Sequence, residues 1–450
     1  MEHYLSIIIG AGQAGLATAH QLTSRGLIPA QDFLLIDANP APGGAWRHRW
    51  DSLTLGKAHN IADLPGMPAP LADASSPASL VVADYYGAYE DKFQLRPYRP
   101  ARVRSVRALP GGHGTRGARN LHGPRDDRAS GNPDEPRSTH ASHGEREPRG
   151  AFLVTLESGK QFSADTIVNA TGTWDRPYIP YIPGISSFGG RQLHTKDYSS
   201  AEDFAGQHVL VVGGGLSAVQ FLLELEGIAQ TTWATRRAPD FTDTEFDKQW
   251  GLDVEKKVRE WVFSGNPPAS VVSTTGIPPW QEYLDAVERG VLVSRGMFNA
   301  IDATGVRFSG SASGGAAARG DAAADHSTVT DGETAAGGRT AVSSEVAGAS
   351  ESVAAWQPYP AGTHLAVDVI FWNTGFRPVL DHLAPLRLRS RKGGIVMRNE
   401  VSPVANPRVF LAGYGSTAST VGGGDARGSF GSARGYQGAG TVARGRKCAR

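Results

Sequence analysis

The chain has 450 residues, 40% of them hydrophobic, which suits roughly two or three globular domains. Its 45 basic and 44 acidic residues leave a net charge of +1, so charge gives no reason to expect nucleic acid or an anionic membrane as a partner. The single cysteine, Cys448, excludes an internal disulfide, a CxxC redox pair and a cysteine-based zinc site. No apolar run reaches the roughly 18 residues of a membrane span, so we expect no transmembrane helix and a soluble, cytoplasmic protein. We also expect no resident metal.

Short apolar runs alternate with helical stretches along most of the chain. A predicted strand followed by a glycine turn, a helix and a second strand occurs twice, about 200 residues apart. This order of elements is the βαβ signature of a parallel sheet. The predicted fold is therefore α/β with two Rossmann-like dinucleotide-binding domains. The predicted strands are 4–9, 33–36, 152–156, 166–169, 208–212, 231–234, 367–372 and 409–411, and the predicted helices are 14–25 and a stretch ending at 225.

Two stretches, 110–150 and 310–355, contain almost no large apolar residues. Neither can bury enough apolar surface to offset the entropy of ordering it. Both are predicted to be disordered low-complexity insertions. A charged regulatory loop is the alternative interpretation.

The first glycine motif, GAGQAG, follows the first predicted strand and contains Gly10, Gly12 and Gly15. In such a turn the first glycine bends the chain, the second lets the backbone approach a pyrophosphate, and the third lets the helix pack closely on the strand. Asp37 follows the second predicted strand, where a carboxylate can accept hydrogen bonds from ribose hydroxyls. These four residues predict a dinucleotide site.

Two further matches to the glycine pattern are weaker. The match that starts at Gly112 lies in a predicted insertion, with no strand before it and no helix after it. The match that starts at Gly413 follows a late strand. We interpret it as backbone that approaches a cofactor bound elsewhere.

The second motif, GGGLSA, contains Gly213, Gly215 and Ala218 and again lies between a strand and a helix. Alanine is allowed at the third position of this pattern, and Ser217 precedes it. The next predicted strand is followed by Arg236 and Arg237 rather than by an acid. Two forked guanidinium groups suit a 2′-phosphate, which favours NADPH over NADH. A solvated basic turn is the alternative interpretation.

Between the two glycine motifs, Phe188, Gly190, His194 and Tyr198 form the pattern F-x-G-x-x-x-H-x-x-x-Y. This pattern resembles the fingerprint of the class B flavin-dependent monooxygenases, which include flavin-containing, Baeyer–Villiger and YUCCA-type enzymes. The resemblance looks closest to the YUCCA-like bacterial members. Segments 42–55, 168–180, 373–378 and 410–415 also resemble that family.

The resemblance implies an FAD domain built from residues 1–174 and 367–450, with an NADPH domain, 175–366, inserted between them. It also implies the cofactors FAD and NADPH and the residues that bind them. For FAD these residues are Gly10, Gly12, Gly15, Asp37, Gly44, Trp46, Thr171, Gly172 and Gly413. For NADPH they are Gly213, Gly215, Ser217, Arg236 and Arg237.

The fingerprint histidine and two departures from the family leave alternatives open. His194 could position the two domains, take part in the chemistry, or be a hydrogen-bonded core histidine. Gly56 stands where the family carries Asn or His near the flavin, although His59 and Asn60 follow closely. Residues 421–440 are too rich in glycine for the C-terminal helix of the family.

By the same resemblance, the protein is a monooxygenase that uses NADPH, FAD and O2. One oxygen atom would pass from a C4a-hydroperoxyflavin to a small organic substrate, either a soft nitrogen or sulfur nucleophile or a carbonyl compound. A disulfide reductase is excluded because one cysteine cannot form a redox pair. A flavin reductase or oxidase without oxygen transfer, and a degenerate nucleotide-binding redox sensor, stay open. The catalytic residue, the substrate and the oligomeric state are not predicted.

Overall fold

A computed structural model describes residues 1–58, 61–109, 151–241, 276–310, 354–391 and 394–413. These residues form two compact units. The first contains the described residues up to Arg176 and from Arg377 onward, and the second contains those from Pro177 to Phe376. The first predicted insertion, residues 311–353 of the second, and the glycine-rich stretch 421–440 lie outside the described residues.

The first unit contains a six-stranded sheet whose central strands, β1 and β5, are parallel to each other. β2 pairs in parallel with β1, while the second side of β5 pairs with β4 near its start and with β13 near its end. Because β1, β2, β5 and β13 run in one direction, their carboxyl ends share one edge of the sheet. The strands are β1 (Glu2–Ile9), β2 (Phe33–Ile36), β3 (Val103–Ala108), β4 (Phe152–Leu156), β5 (Gln161–Asn169) and β13 (Val409–Leu411).

Two helices, α1 (Gln13–Ser24) and α2 (Ala78–Lys92), pack in one apolar core of this unit. Successive strand residues alternate between the two faces of the sheet, so Ile8 belongs to this core and its neighbours in β1 belong to another. The second core is closed partly by a 3-10 helix, Asp381–Leu386. The sheet is therefore buried on both faces, as is usual for parallel strands.

The second unit contains a four-stranded parallel sheet in the order β6-β12-β7-β8 and a three-stranded antiparallel sheet in the order β11-β10-β9. The parallel strands are β6 (Arg191–His194), β7 (His208–Val212), β8 (Gln230–Ala234) and β12 (Val369–Trp372). The antiparallel strands are β9 (Phe298–Ile301), β10 (Gly305–Phe308) and β11 (His364–Ala366). The helices are α3 (Leu216–Glu224) and α4 (Gln281–Glu288).

The boundary predicted at residue 367 differs from the boundary in the structure. β12 pairs in parallel with both β6 and β7, so it belongs to the second sheet, and the chain leaves this unit only after Phe376. The predicted insertion 310–355 also extends too far. Ala355 is fully buried, and its carbonyl oxygen accepts a hydrogen bond from the N–H of Ser294 at 2.8 Å.

Within the described ranges, no helix combines the length and the apolar character needed to cross a bilayer. The same ranges contain no group of three or more His, Cys, Asp or Glu side chains arranged to hold a metal ion.

Candidate functional site

The first glycine turn connects β1 to α1, and its glycines have distinct structural reasons. Gly10 has a φ of +103°, and a β-carbon there would overlap the carbonyl oxygen of Ala170. A β-carbon on Gly15 would overlap the carbonyl oxygen of Gly10, so only glycine lets α1 pack this closely on β1. Gly12 is the N-cap residue of α1 and has no side chain that could cap the helix. The first-turn N–H groups can therefore serve an external anion.

Asp37 follows β2 at the same edge of the sheet and is 4% exposed. Its Oδ1 accepts hydrogen bonds from the backbone N–H of Asn39 at 3.3 Å and from the Asn39 side chain at 3.4 Å. Its Oδ2 lies 3.3 Å from Nη2 of Arg99 but accepts no hydrogen bond from the residues that the structure describes. Burial raises the pKa of the Asp37 carboxyl, although the Asn39 N–H and the Arg99 charge act in the opposite direction.

Gly44 and Trp46 lie in the segment beside the first glycine turn. Gly44 has a φ of +53°, and a β-carbon there would stand 2.8 Å from Cα of Gly12. Trp46 begins a 3-10 turn, Trp46–His48, and its half-buried ring packs against the core around α1. The Gly44 backbone thus touches the second glycine of the motif.

Thr171, Gly172 and Gly413 lie where β5 and β13 end, at this same edge. The Thr171 hydroxyl donates to the carbonyl oxygen of Val379 at 2.7 Å, and the Val379 N–H donates to the Gly172 carbonyl at 3.0 Å. Gly413 has a φ of +83°, and a β-carbon there would stand 2.8 Å from Cβ of Ala14 in α1. The structure therefore gathers the predicted residues of the first site along one sheet edge.

The second glycine turn connects β7 to α3, and its first glycine is again required by close backbone contact. Gly213 has a φ of +139°, and a β-carbon there would overlap the carbonyl oxygen of Asn373. The Trp233 Nε1–H donates to the Gly213 carbonyl at 2.7 Å and fixes the turn against β8. Gly215 is the N-cap residue of α3, and Ser217 lies half-buried in its first turn. The α3 N-terminus thus also presents backbone N–H groups without a capping side chain.

Arg236 and Arg237 are exposed and follow β8 after one intervening residue, Thr235. The Thr235 hydroxyl donates to the carbonyl oxygen of Arg237 at 2.6 Å, and its oxygen lies 2.7 Å from Oγ of Ser294. Because β7 and β8 are parallel neighbours, their carboxyl ends meet at the same edge. The two guanidinium groups therefore follow the strand next to the second glycine turn, as the sequence predicts.

His194 is 1% exposed and lies at the end of β6. The Lys196 backbone N–H donates to its Nδ1 at 3.4 Å, and its Nε2 lies 2.9 Å from the carbonyl oxygen of Gly375, so the neutral ring carries its proton on Nε2. Burial lowers the pKa of this imidazole. Of the three interpretations left open, a hydrogen-bonded core histidine is the one that these contacts favour.

The other fingerprint residues also pack inside the second unit. A β-carbon on Gly190 would overlap the carbonyl oxygen of Asp368. The Tyr198 hydroxyl donates to Oε1 of Glu224 in α3 at 2.6 Å, and its ring stacks on Phe371 of β12 at a centroid distance of 5.8 Å. The fingerprint therefore fixes β6 against the sheet and against α3.

Gly56 lies exposed in a 3-10 turn, Leu55–Lys57, and its N–H donates to the carbonyl oxygen of Ala74 at 2.9 Å. No side chain is available at this position for any reacting group. His59 and Asn60, the two residues considered as replacements, lie outside the described residues.

Sequence reasoning missed two charged residues behind Asp37. Arg99 donates from Nη1 and Nη2 to the two carboxylate oxygens of Glu90, at 2.9 and 2.7 Å. Glu90 is 7% exposed although it lies on α2, one residue beyond the buried Tyr89. The sequence did contain a signal for this pair. Glu90 lies among tyrosines on a helix, and an acid that is buried there needs a charged partner.

The first site fits a dinucleotide on two observations. The Asp37 Oδ2 is a buried acceptor that receives no hydrogen bond within the described part of the chain, which suits a ribose hydroxyl. The turn made by Gly10, Gly12 and Gly15 is closed to side chains but leaves backbone N–H groups at a helix N-terminus. The second turn offers the same type of N-terminus, and two arginines follow the end of the adjacent strand.

Two family models match segments of this chain that contain the two glycine turns. Residues 8–62 match a model described as an NAD(P)-binding Rossmann-like domain. Residues 145–265 match one described as a pyridine nucleotide-disulphide oxidoreductase. The matches therefore include both glycine motifs.

Individual relatives extend the similarity. The indole-3-pyruvate monooxygenase YUCCA1 of Oryza sativa subsp. japonica is 30% identical over 221 residues, which are 49% of this chain and 44% of the relative. The uncharacterized oxidoreductase CzcO of Bacillus velezensis is 26% identical over 236 residues, or 52% and 56% of the two chains. The matched region thus spans about half the length of these curated relatives.

A solved flavin-containing monooxygenase from Stenotrophomonas maltophilia is 26% identical, with a TM-score of 0.64 and 98% of each chain covered. The chain is therefore similar to flavin-dependent monooxygenases both in sequence and in fold. These similarities confirm the predicted α/β fold with a Rossmann-like domain. The NAD(P)-binding and oxidoreductase matches, together with the flavin monooxygenase relatives, support FAD and NADPH as cofactors.

Proposed function

We propose that this chain is an FAD- and NADPH-dependent monooxygenase that transfers one atom of O2 to a small organic substrate. A soft nitrogen or sulfur nucleophile, or a carbonyl compound, is the proposed substrate class. The observation that carries the proposal is the pair of glycine turns. Each follows a parallel strand and precedes a helix, with an acid after the next strand at the first turn and two arginines at the second.

In this proposal the first unit binds FAD. The N–H groups at the start of α1 hold its pyrophosphate, and Asp37 accepts hydrogen bonds from the adenosine ribose. Gly44, Trp46, Thr171, Gly172 and Gly413 line the rest of the bound molecule. Because the glycines at 10, 15 and 413 exclude side chains, the backbone itself forms the binding surface.

The second unit binds NADPH in the same manner. The N–H groups at the start of α3 hold the pyrophosphate, with Ser217 in the same turn, and Arg236 and Arg237 hold the 2′-phosphate. When bound, NADPH supplies hydride and FAD supplies the electron transfer that activates O2. The role of the protein is to bind and orient the two cofactors and to keep water from the reacting atoms.

The proposal is tested with the purified full-length chain. We expect it to retain FAD, to oxidise NADPH faster than NADH, and to incorporate one labelled oxygen atom from ¹⁸O2 into a thioether, amine or ketone. Absence of FAD would refute the cofactor assignment. Stoichiometric hydrogen peroxide with every substrate class, and no labelled product, would refute oxygen transfer.

A flavin oxidase or reductase without oxygen transfer is the second candidate, and Gly56 is the observation that favours it. This exposed glycine supplies only backbone at the position where the family has Asn or His. The variant Gly56→Asn separates the two candidates. If the chain is an oxidase because it lacks that side chain, the variant should lower the peroxide yield per NADPH and produce labelled product, while the wild type should give peroxide alone.

A further inference from the structure

We propose that Arg99 and Glu90 are positioning residues that hold the Asp37 carboxylate ready to accept the ribose hydroxyls of the dinucleotide bound at the first glycine turn. This inference rests on the proposed function, because it takes Asp37 to be the ribose-binding acid. It adds two residues that belong to neither glycine motif and that lie far from Asp37 in the sequence.

The backbone places Arg99 beside Asp37 through three hydrogen bonds. The Asp37 N–H donates to the carbonyl oxygen of Tyr98 at 3.1 Å, and the Asp37 carbonyl accepts from the N–H of Ala101 at 2.7 Å. The Tyr98 N–H donates to the carbonyl oxygen of Leu35 at 2.7 Å. The segment that carries Arg99 therefore runs alongside the end of β2 and extends the pairing of the sheet.

Glu90 fixes the direction of the guanidinium group. Both of its carboxylate oxygens accept from Arg99, and this fork-to-fork arrangement allows little rotation. The same Nη2 that donates to Glu90 lies 3.3 Å from Oδ2 of Asp37. Arg99 is thus held close enough to Asp37 to act through its charge, while its hydrogen bonds go to Glu90.

In this geometry the Oδ2 atom of Asp37 is available to accept a hydrogen bond from a ligand. Oδ2 is buried and receives no hydrogen bond from the described residues, although a cation stands beside it. An arginine that donated directly to Oδ2 would occupy the acceptor that the ribose needs. Engagement with Glu90 prevents this, so the buried carboxylate gains a positive neighbour without losing an acceptor site.

The charged and titratable groups that face Asp37 can be named from each packed element. Arg99 comes from the segment after α2, Glu90 comes from the last turn of α2, and His48 approaches through Asn39, whose Oδ1 lies 2.7 Å from Nε2 of His48. The glycine turn contributes the uncharged N–H of Ala11. The Arg99 charge opposes the effect of burial on the pKa of Asp37, so it favours the ionised acceptor.

The test measures FAD dissociation constants of the full-length chain between pH 5.5 and 8.5. For Arg99→Met, loss of the cation should raise the pKa of Asp37 and weaken FAD binding by about tenfold near neutral pH, with a larger loss as the pH falls. For Glu90→Gln, the freed guanidinium should donate to Oδ2, so FAD binding should weaken by a similar factor that does not change with pH. Arg99→Lys should recover part of the affinity and serves if the Met variant does not fold.

Two controls separate positioning from a general loss of structure. Arg102→Met removes an exposed arginine from the same segment, where it pairs with Asp175 at 3.0 Å, and should leave FAD affinity unchanged. The second control uses an FAD analogue whose adenosine ribose lacks the 2′-hydroxyl. Arg99→Met should weaken binding of the analogue less than binding of FAD, because part of the contact that Asp37 makes is already missing.

The outcomes distinguish this inference from the proposed function. Wild-type affinity in Arg99→Met, or equal pH-independent losses with FAD and the analogue, would overturn the inference while FAD binding by the wild type stands. Absence of FAD binding by the wild type would overturn both. The expected pH profiles without any oxygen transfer would support the inference and refute the monooxygenase proposal.

Discussion

Gly15 lies against the carbonyl oxygen of Gly10, so α1 can begin where it does only because residue 15 has no β-carbon. The corresponding residue of the second turn is Ala218, which is fully buried at the start of α3. The two turns therefore share a pattern but differ in how closely the helix approaches its strand. The tighter approach belongs to the turn that we assign to FAD.

The Gly15→Ala variant is expected to lose FAD and stability together. The added methyl group must displace the carbonyl of Gly10, and such overpacking costs about 1–3 kcal/mol in the free energy of unfolding. Denaturant unfolding of the apo protein and the flavin-to-protein absorbance ratio measure the two effects. Gly87→Ala is the matched control, since its β-carbon would make ordinary contact with Pro42 at 3.5 Å inside α2. A flavin ratio and stability equal to those of wild type in Gly15→Ala would contradict this reading of the turn.

The double variant Arg236→Gln, Arg237→Gln is expected to bind NADPH more weakly but NADH about as well as the wild type. Each charge-assisted hydrogen bond to a phosphate is worth roughly 1.5–3 kcal/mol, so the KM for NADPH should rise by at least about tenfold. Steady-state oxidation of the two coenzymes gives the comparison. Arg289→Gln, which removes an exposed arginine paired with Glu226, should change neither KM. Equal losses for NADPH and NADH would show that the pair does not contact a 2′-phosphate.

His382 is expected to make the folded state less stable as the pH falls from about 6.5 towards 4. Its ring is buried with Nε2 2.6 Å from Oδ1 of Asn169, and burial lowers its pKa from 6.5 to about 4. Between these two values the unfolded chain binds a proton that the folded chain does not. The loss at the acidic end is about 3 kcal/mol, present in full only below the folded pKa.

The variant His382→Gln isolates this contribution, because glutamine can still donate to Asn169 but does not titrate. Urea unfolding at several pH values should give a shallower acid dependence than in the wild type. Other histidines whose pKa is lowered by burial, among them the buried His194 and the half-buried His208, should contribute to the acid dependence in both proteins. Identical slopes in His382→Gln and the wild type would exclude the assigned proton linkage.

Tyr198→Phe is expected to destabilise the second unit without affecting FAD binding. Removal of the hydroxyl deletes its 2.6 Å hydrogen bond to the half-buried Glu224 carboxylate, which costs about 1 kcal/mol. Thermal unfolding and FAD affinity are measured together. Tyr181→Phe, at a position that is 83% exposed, is the control and should match the wild type. A loss of FAD affinity with unchanged stability would argue that Tyr198 belongs to a cofactor site instead.

Much of the fold could be predicted from the sequence because apolar runs and glycine turns are local patterns that indicate strands and strand-to-helix turns. The strands at 33–36, 152–156, 208–212 and 409–411 have the predicted bounds. The strand before each glycine turn also ends at the predicted residue. Helix α2 was missed, since its sequence mixes tyrosines, acids and small residues, and its buried side chains pack in a core shared with α1 that forms only in the folded structure. β6 and the antiparallel strands β9, β10 and β11 were missed because each is short and interrupts its apolar residues with polar residues or glycine, whereas the equally short β2 and β13 are entirely apolar.

The sequence by itself determined the two glycine turns, Asp37, the arginine pair and the resemblance to flavin-dependent monooxygenases, because each depends on residues close together in the chain and on backbone geometry that few side chains permit. Only the tertiary structure decided that β12 belongs to the second sheet, since strand pairing is a contact between distant segments. It likewise decided that Arg99 and Glu90 stand behind Asp37. The partner of a buried charge is set by which distant segments pack together, and the spacing of residues in the sequence does not show which segments those are.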